Sequence, residues 1–249
     1  MATSPLHQFE IKPLVNLPVG PVDLAFTNSS LWMMIAVVTS ILFFSLATAP
    51  RALVPGRLQA AAEGVYGFIA NMVRDNTGTA GMGYFPFVFT IFMVVFLGNA
   101  LGMIPTSFTY TSHIVVTAAL AMMIFLMVLV IGLVRHGTHF FHLFLPPGVP
   151  LWLAPIIIPI ELISFLIRPI TLSVRLFANM MAGHLMLKVF AGLSVSALGM
   201  GAAGVAIGIL PALFNSALMA FELLIAFLQA YVFTVLTCIY LKDTIEIGH

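Results

Sequence analysis

Hydrophobic residues in this chain gather in runs of about twenty, parted by short polar or Pro-rich intervals. Residues 31–48 carry no charge and are long enough to cross a hydrocarbon layer of about 30 Å; Pro50 and Pro55 end the run. Residues 84–104, stopped at Pro105, and residues 113–134 predict two further spans. Residues 57–75 differ, because Arg57, Glu63, Arg74 and Asp75 recur among Ala, Val, Tyr and Phe. That pattern predicts an amphipathic helix lying at the membrane interface. Residues 1–28 are polar and Pro-rich and predict a surface tail.

The second half is less regular and then more so. Pro146, Pro147, Pro150 and Pro155 interrupt residues 136–158, which predict a re-entrant hairpin packed on protein. Residues 159–191 and 205–241 predict two helices of roughly 50 and 55 Å, at about 1.5 Å per residue. Both exceed the hydrocarbon thickness, so they must tilt, bend or protrude. Pro169 and Pro211 are the candidate bending points. The Gly/Ala/Ser-rich residues 192–204 predict the turn between them. The expectation is an all-α polytopic membrane protein with five to six membrane helices. Two of these are long, steeply tilted C-terminal helices, accompanied by one interfacial amphipathic helix and a Pro-rich hairpin. It forms a single domain over residues 1–249: a tail to residue 30, peripheral helices and hairpin over 31–158, and the two long helices over 159–249.

Composition sharpens this. The chain is 61% hydrophobic and 7% charged, with mean hydropathy +1.15; soluble domains are about 25% charged. A net charge of +1 points neither to nucleic acid nor to an acidic tail. The one cysteine, Cys238, excludes an intrachain disulfide. No cationic segment precedes the first apolar run, so that run is expected to stay in the membrane. Arg51, Arg57, Arg74, Arg135 and Lys242 fall on one side of the predicted topology and Lys12 on the other. The positive-inside rule then puts the C-terminus in the cytoplasm, provided residues 136–158 cross an even number of times or not at all.

Against so apolar a background the polar positions are informative. Glu161, Arg168, Arg175 and Asn179 follow one another at spacings of seven, seven and four. On a helix they project within a strip about 40° wide, flanked by Ser164 and Thr171. His184 and Lys188 project to the opposite side. Asn215, Glu222 and Gln229 stand at strict seven-residue spacing on the last helix, and Tyr240 and Asp243 continue that stripe loosely. Two such stripes can line hydrated half-paths through a membrane. Glu161, Glu222 and His184 can exchange protons there. Arg175 cannot, because a guanidinium stays protonated. Holding it at membrane depth costs about 3 kcal/mol on insertion scales, which makes it a functional candidate by default.

Each position also has a structural reading. Glu161 or Glu222 pairs with an arginine; Asn179, Asn215 and Gln229 glue helices together; Lys188 reaches the interface. His136, His139 and His142 have ligand-like spacing but sit at a loop facing water or headgroups, so no metal or other cofactor is expected.

At these residues the chain resembles the a subunit of F-type ATP synthases, the stator part of the membrane motor. The likeness runs from residue 5 to near the end. It is strongest in Arg168–Leu187, with the run Arg-Leu-Phe-x-Asn-Met-x-Ala-Gly-His from Arg175 to His184, and in Phe221–Tyr240. The segment from Ser4 to Glu10 also looks like the family's start. The resemblance implies that Arg175 is the essential arginine facing the carboxylates of a rotating c-subunit ring, with Asn179 one turn away. It implies that His184 and Glu222 interact in the proton-uptake half-channel, and that Gln229 supports the arginine from the neighbouring helix. Glu161 and Asp243 correspond to acids of the opposite half-channel. Many members have Gly before the Asn, where this chain has Ala178. The implied partners are the c-ring, the b subunits of the peripheral stalk, the rest of the F1Fo complex and the lipid bilayer, with no nucleic acid. The implied role is non-catalytic proton conduction that drives rotation and ATP synthesis. No Gly-x-x-x-x-Gly-Lys-Ser/Thr loop is present. A bacterial plasma membrane fits the topology, and a mitochondrial inner membrane is the other location considered. The rival readings are a self-contained channel or secondary transporter with Arg175 as an anion-binding residue, and a purely structural membrane subunit.

Overall fold

The structure is a computed structural model that describes residues 9–19, 22–49, 54–104, 107–137, 140, 144, 151–199 and 201–245. Among the described residues six α-helices follow a short hairpin: α1 (Asn28–Thr48), α2 (Arg57–Thr77), α3 (Phe85–Gly102), α4 (Ile114–His136), α5 (Ala154–Leu198) and α6 (Ala202–Ile245). Five helical stretches among the described residues are long and apolar enough to cross a membrane; α2 is not among them. The spans leave large apolar side chains uncovered, among them Ile41, Leu46, Val115 and Val130. In lipid this costs nothing, because acyl chains are as apolar as leucine.

The N-terminal tail is not featureless. β1 (Pro13–Val19) pairs antiparallel with β2 (Val22–Thr27), Leu17 opposite Leu24. β2 runs directly into α1, where Thr27 Oγ1 accepts the Ser30 N–H at 3.3 Å as a helix cap. Asn28 fastens the strand to the helix start, accepting from the Lys12 N–H at 3.2 Å and donating to the Glu10 carbonyl at 3.1 Å.

Two helices outgrow the expectation. α5 starts at Ala154, not at 159, because Pro155 falls in its first turn, where no intrahelical N–H bond is lost. It then continues to Leu198 through Gly192, so the expected turn over 192–204 shrinks to the residues around Gly201 (φ +80°). Pro159 and Pro169 stay inside α5, and Pro211 inside α6. Neighbouring helices and local adjustments make such prolines tolerable in a membrane. At 45 and 44 residues these helices run about 68 and 66 Å. About half of the expected hairpin over 136–158, including His139 and His142, lies outside the described residues, and its last residues begin α5.

The chain forms two compact units, each assembled from three stretches. In the first (Met1–Ile41, Met93–His113, Leu176–Ala230) the buried residues include Val95, Leu176, Met180 and Ala226, together with the fully buried Asn99. Tyr110, between α3 and α4, donates to the Val94 carbonyl at 2.8 Å. Burial holds its phenol well above the ordinary range, so it stays a neutral donor. Gly98 is required here, since a methyl at that position would stand 2.3 Å from the Tyr110 hydroxyl oxygen. In the second unit (Leu42–Phe92, Ile114–Arg175, Tyr231–His249) Ile69, Val88, Ile124, Leu172, Phe233 and Leu241 are buried. Phe140, Phe144 and Phe165 form an aromatic cluster there, with T-shaped ring pairs.

Candidate functional site

In the first unit, α5 and α6 bring together two acid–base groups 38 positions apart in sequence, His184 and Glu222. Nδ1 of His184 pairs with Oε1 of Glu222. The carboxylate is 3% exposed, and its second oxygen, Oε2, has no hydrogen-bond partner among the described residues. Gly183 makes the approach feasible: a methyl there would lie 2.8 Å from Oε1 and 3.0 Å from the carboxyl carbon. On its far side the imidazole meets the end of α3. Nε2 lies 2.9 Å from the Gly102 carbonyl and 2.7 Å from Oγ1 of Thr109.

About two turns along α6 from Glu222, Gln229 is buried and accepts a 3.0 Å hydrogen bond from the Asn179 side chain. The helix-gluing role considered for this pair is thus present in the geometry. Asn99 of α3 donates to the Ala226 carbonyl at 3.4 Å. Asn99 Oδ1, Gln229 Nε2 and Asn215 Oδ1 join Glu222 Oε2 as buried polar atoms without a partner among the described residues. Native interiors rarely leave such groups unsatisfied, and water is the usual partner. An open recess of about 520 Å³ lies one turn from Glu222, between Met103 and Ile104 at the end of α3 and Ser216, Met219 and Leu223 of α6.

The second unit holds the other acids. The Arg168 guanidinium donates to Asp243 Oδ2 at 2.9 Å and stands 4.0 Å from Glu161 Oε1. It also lies over the rings of Tyr240, 5.0 Å from the centroid, and Phe165, at 5.7 Å. The planar cation thus has aromatic faces against it and carboxylates at its edge, an arrangement that guanidinium suits and ammonium does not. The structural pairing considered for Glu161 is therefore also present, across the seven-residue spacing that put both residues on one stripe.

Arg175 behaves differently. Among the described residues its side chain makes no hydrogen bond and no ion pair, and it is exposed. Thr171, Ala178, Asn179 and Ala182 are exposed around it on the same helix face. Lys188, further along α5, is exposed as well.

Arg168, Thr109, Gly102 and Gly183 were not singled out from sequence as site residues. Arg168 had a signal, its seven-residue spacing from Glu161. Thr109 lies in a short loop and has no periodicity to reveal it. No cluster of metal-ligating side chains occurs among the described residues.

A family model described as "ATP synthase A chain" matches residues 30–242. The chain is 57% identical over 243 residues to the ATP synthase subunit a of Rhodospirillum rubrum, covering 98% of each chain. It is 54% identical over 245 residues to the ATP synthase subunit a of Parvibaculum lavamentivorans, covering 98% of this chain and 94% of that one. It is 52% identical to the Agrobacterium fabrum protein of the same name over the full length of both.

Proposed function

This chain belongs to the ATP synthase A chain family, and we propose on that premise that it is the stator subunit conducting protons to and from a c-subunit ring, turning proton flow into rotation. The observation that carries the reading is Arg175: a permanent cation, exposed on an apolar helix and without an acid partner among the described residues. A carboxylate brought alongside by another chain answers both its cost and its missing partner. The exposed Ala178 and Ala182 beside it let a partner helix come close. The relatives reported above are bacterial, and the chain is assigned to a bacterial inner membrane, within an F1Fo complex that includes peripheral-stalk b subunits. The chain itself performs no covalent chemistry.

In this mechanism a proton reaches Glu222 and His184 and then neutralises a c-ring carboxylate, which moves into lipid. After nearly a full turn that carboxyl meets the release path at Glu161 and Asp243, where Arg168 holds the acids in place. Arg175 favours the ionised carboxylate and so drives release. The same charge repels protons that would cross directly between the paths. Asn179 and Gln229 hold the helix surface around Arg175, and Asn215 lies along the uptake stripe. Each charge crossing gains roughly 2.3 kcal/mol per 100 mV, which is the source of the torque.

A cysteine at exposed Ala182 in the assembled complex cross-links to a small hydrophobic carboxylate-bearing subunit, whereas one at buried Leu176 does not; cross-linking of neither, or of both alike, counts against a rotor at this face. Gly183→Ala brings a methyl to 2.8 Å from Glu222 Oε1, shifts the carboxylate by a fraction of an ångström and lowers proton flux roughly tenfold, less than the ~10²-fold of a full 1 Å misplacement. Vesicle acidification measures this, and full flux would remove the close approach from the mechanism.

A further inference from the structure

We infer that Thr109 is a positioning residue of the uptake path: with the Gly102 carbonyl it fixes a proton on Nε2 of His184, leaving Nδ1, which faces Glu222, as the exchanging nitrogen. The inference rests on the reading of His184 and Glu222 as the uptake pair.

Gly102 closes α3, so its carbonyl has no intrahelical partner and carries the negative end of the helix dipole. Three side chains turn toward it: Ser107 Oγ at 2.8 Å, His184 Nε2 at 2.9 Å and Thr109 Oγ1 at 3.1 Å. A carbonyl oxygen only accepts. The carbonyl favours hydrogen on Nε2, since a lone pair there would face the oxygen's lone pair at 2.9 Å; the Met180 carbonyl is the other backbone acceptor on the ring, so Gly102 alone does not settle the tautomer. Thr109 completes the arrangement, because its hydroxyl oxygen, 2.7 Å from Nε2, takes a share of the same N–H while its own hydrogen points to Gly102. Thr109 is 3% exposed, so water does not readily replace it. Gly102 is what lets it reach: a methyl at 102 would stand 2.4 Å from Oγ1 and 2.9 Å from Cβ of Thr109.

The consequence is directional. A proton that binds His184 binds at Nδ1, giving the imidazolium, and leaves from Nδ1 to Oε1 of Glu222, restoring the neutral ring with Nε2–H untouched. The ring does not pass protons from one nitrogen to the other. His184 holds charge beside Glu222, and the through-path continues from the carboxylate, whose Oε2 is the buried oxygen without a partner.

The test uses the whole complex in vesicles with ¹⁵N-labelled histidine, the His184 signal assigned by its loss in His184→Gln. Neutral wild-type His184 is expected as the Nε2–H tautomer, and an Nδ1–H signal overturns the inference without any variant. Thr109→Val is expected to mix the tautomers and slow proton flux roughly fivefold, the scale of one lost hydrogen bond, and Thr109→Ser to restore both. Unmixed tautomers or full flux in Thr109→Val overturn the role of Thr109. Glu222→Gln separates the two readings: normal flux there defeats the uptake pair itself, whereas slow flux with normal Thr109→Val defeats only the present inference.

Discussion

Arg175→Ala abolishes proton-driven ATP synthesis while the complex still assembles. A guanidinium about 4 Å from a partner carboxylate stabilises the ionised form by roughly 4 kcal/mol at the effective dielectric of a protein surface. Losing that preference slows proton release on the order of a thousandfold. Assembly survives because Arg175 forms no hydrogen bond or ion pair within the described chain, so nothing inside the subunit is left unpaired. The same variant raises passive proton leak, since the charge separating the two paths is gone. Arg175→Lys fails too, because an ammonium lacks the planar fork and shifts its charge state readily in poor solvent. Synthesis and leak in inverted vesicles decide the matter. Normal synthesis in either variant returns Arg175 to a scaffold role.

Glu222→Gln slows proton flux by roughly 10² or more, the range contributed by one positioned acid–base group. Gln keeps the shape and can still hydrogen-bond His184, so packing around Gly183 is undisturbed. What it cannot do is take up and return a proton. The loss therefore falls on flux and on its pH profile, whereas subunit content of the purified complex is retained. Glu222→Asp, one methylene shorter, recovers part of the rate. A Glu222→Gln complex with the wild-type pH profile would take this carboxylate out of the path.

Much of the site was legible because polar residues are so scarce here. Seven-residue spacing put Glu161, Arg168 and Arg175 on one strip of α5, and Asn215, Glu222 and Gln229 on one strip of α6. The pairing of His184 with Glu222 was not contained in that spacing; resemblance to the family supplied it, and in the structure Nδ1 of His184 lies against Oε1 of Glu222. The Arg168 contact with Asp243 joins residues 75 positions apart, and nothing in either segment announces the other. Boundaries were less legible. Pro155 and Gly192 read as breakers in water, but a membrane helix satisfies its own backbone and carries such residues onward. The hairpin at Pro13–Thr27 was hidden by its prolines, which mask strand alternation in an edge pair.

Sequence alone determined that this chain lives in lipid, which segments cross it, and which face of each long helix is polar. Those properties follow from local chemistry, since hydrophobicity and helical period are set residue by residue. Tertiary structure decided which polar groups are neutralised and which are left waiting. Arg168 finds two acids and two aromatic rings, and Arg175, one strip-mate along, makes no hydrogen bond or ion pair among the described residues. His184 has one nitrogen tied to a helix end and the other to a carboxylate. These outcomes depend on which distant segments meet, and an approach as close as Gly183 to Glu222 is fixed by packing geometry that no single segment carries.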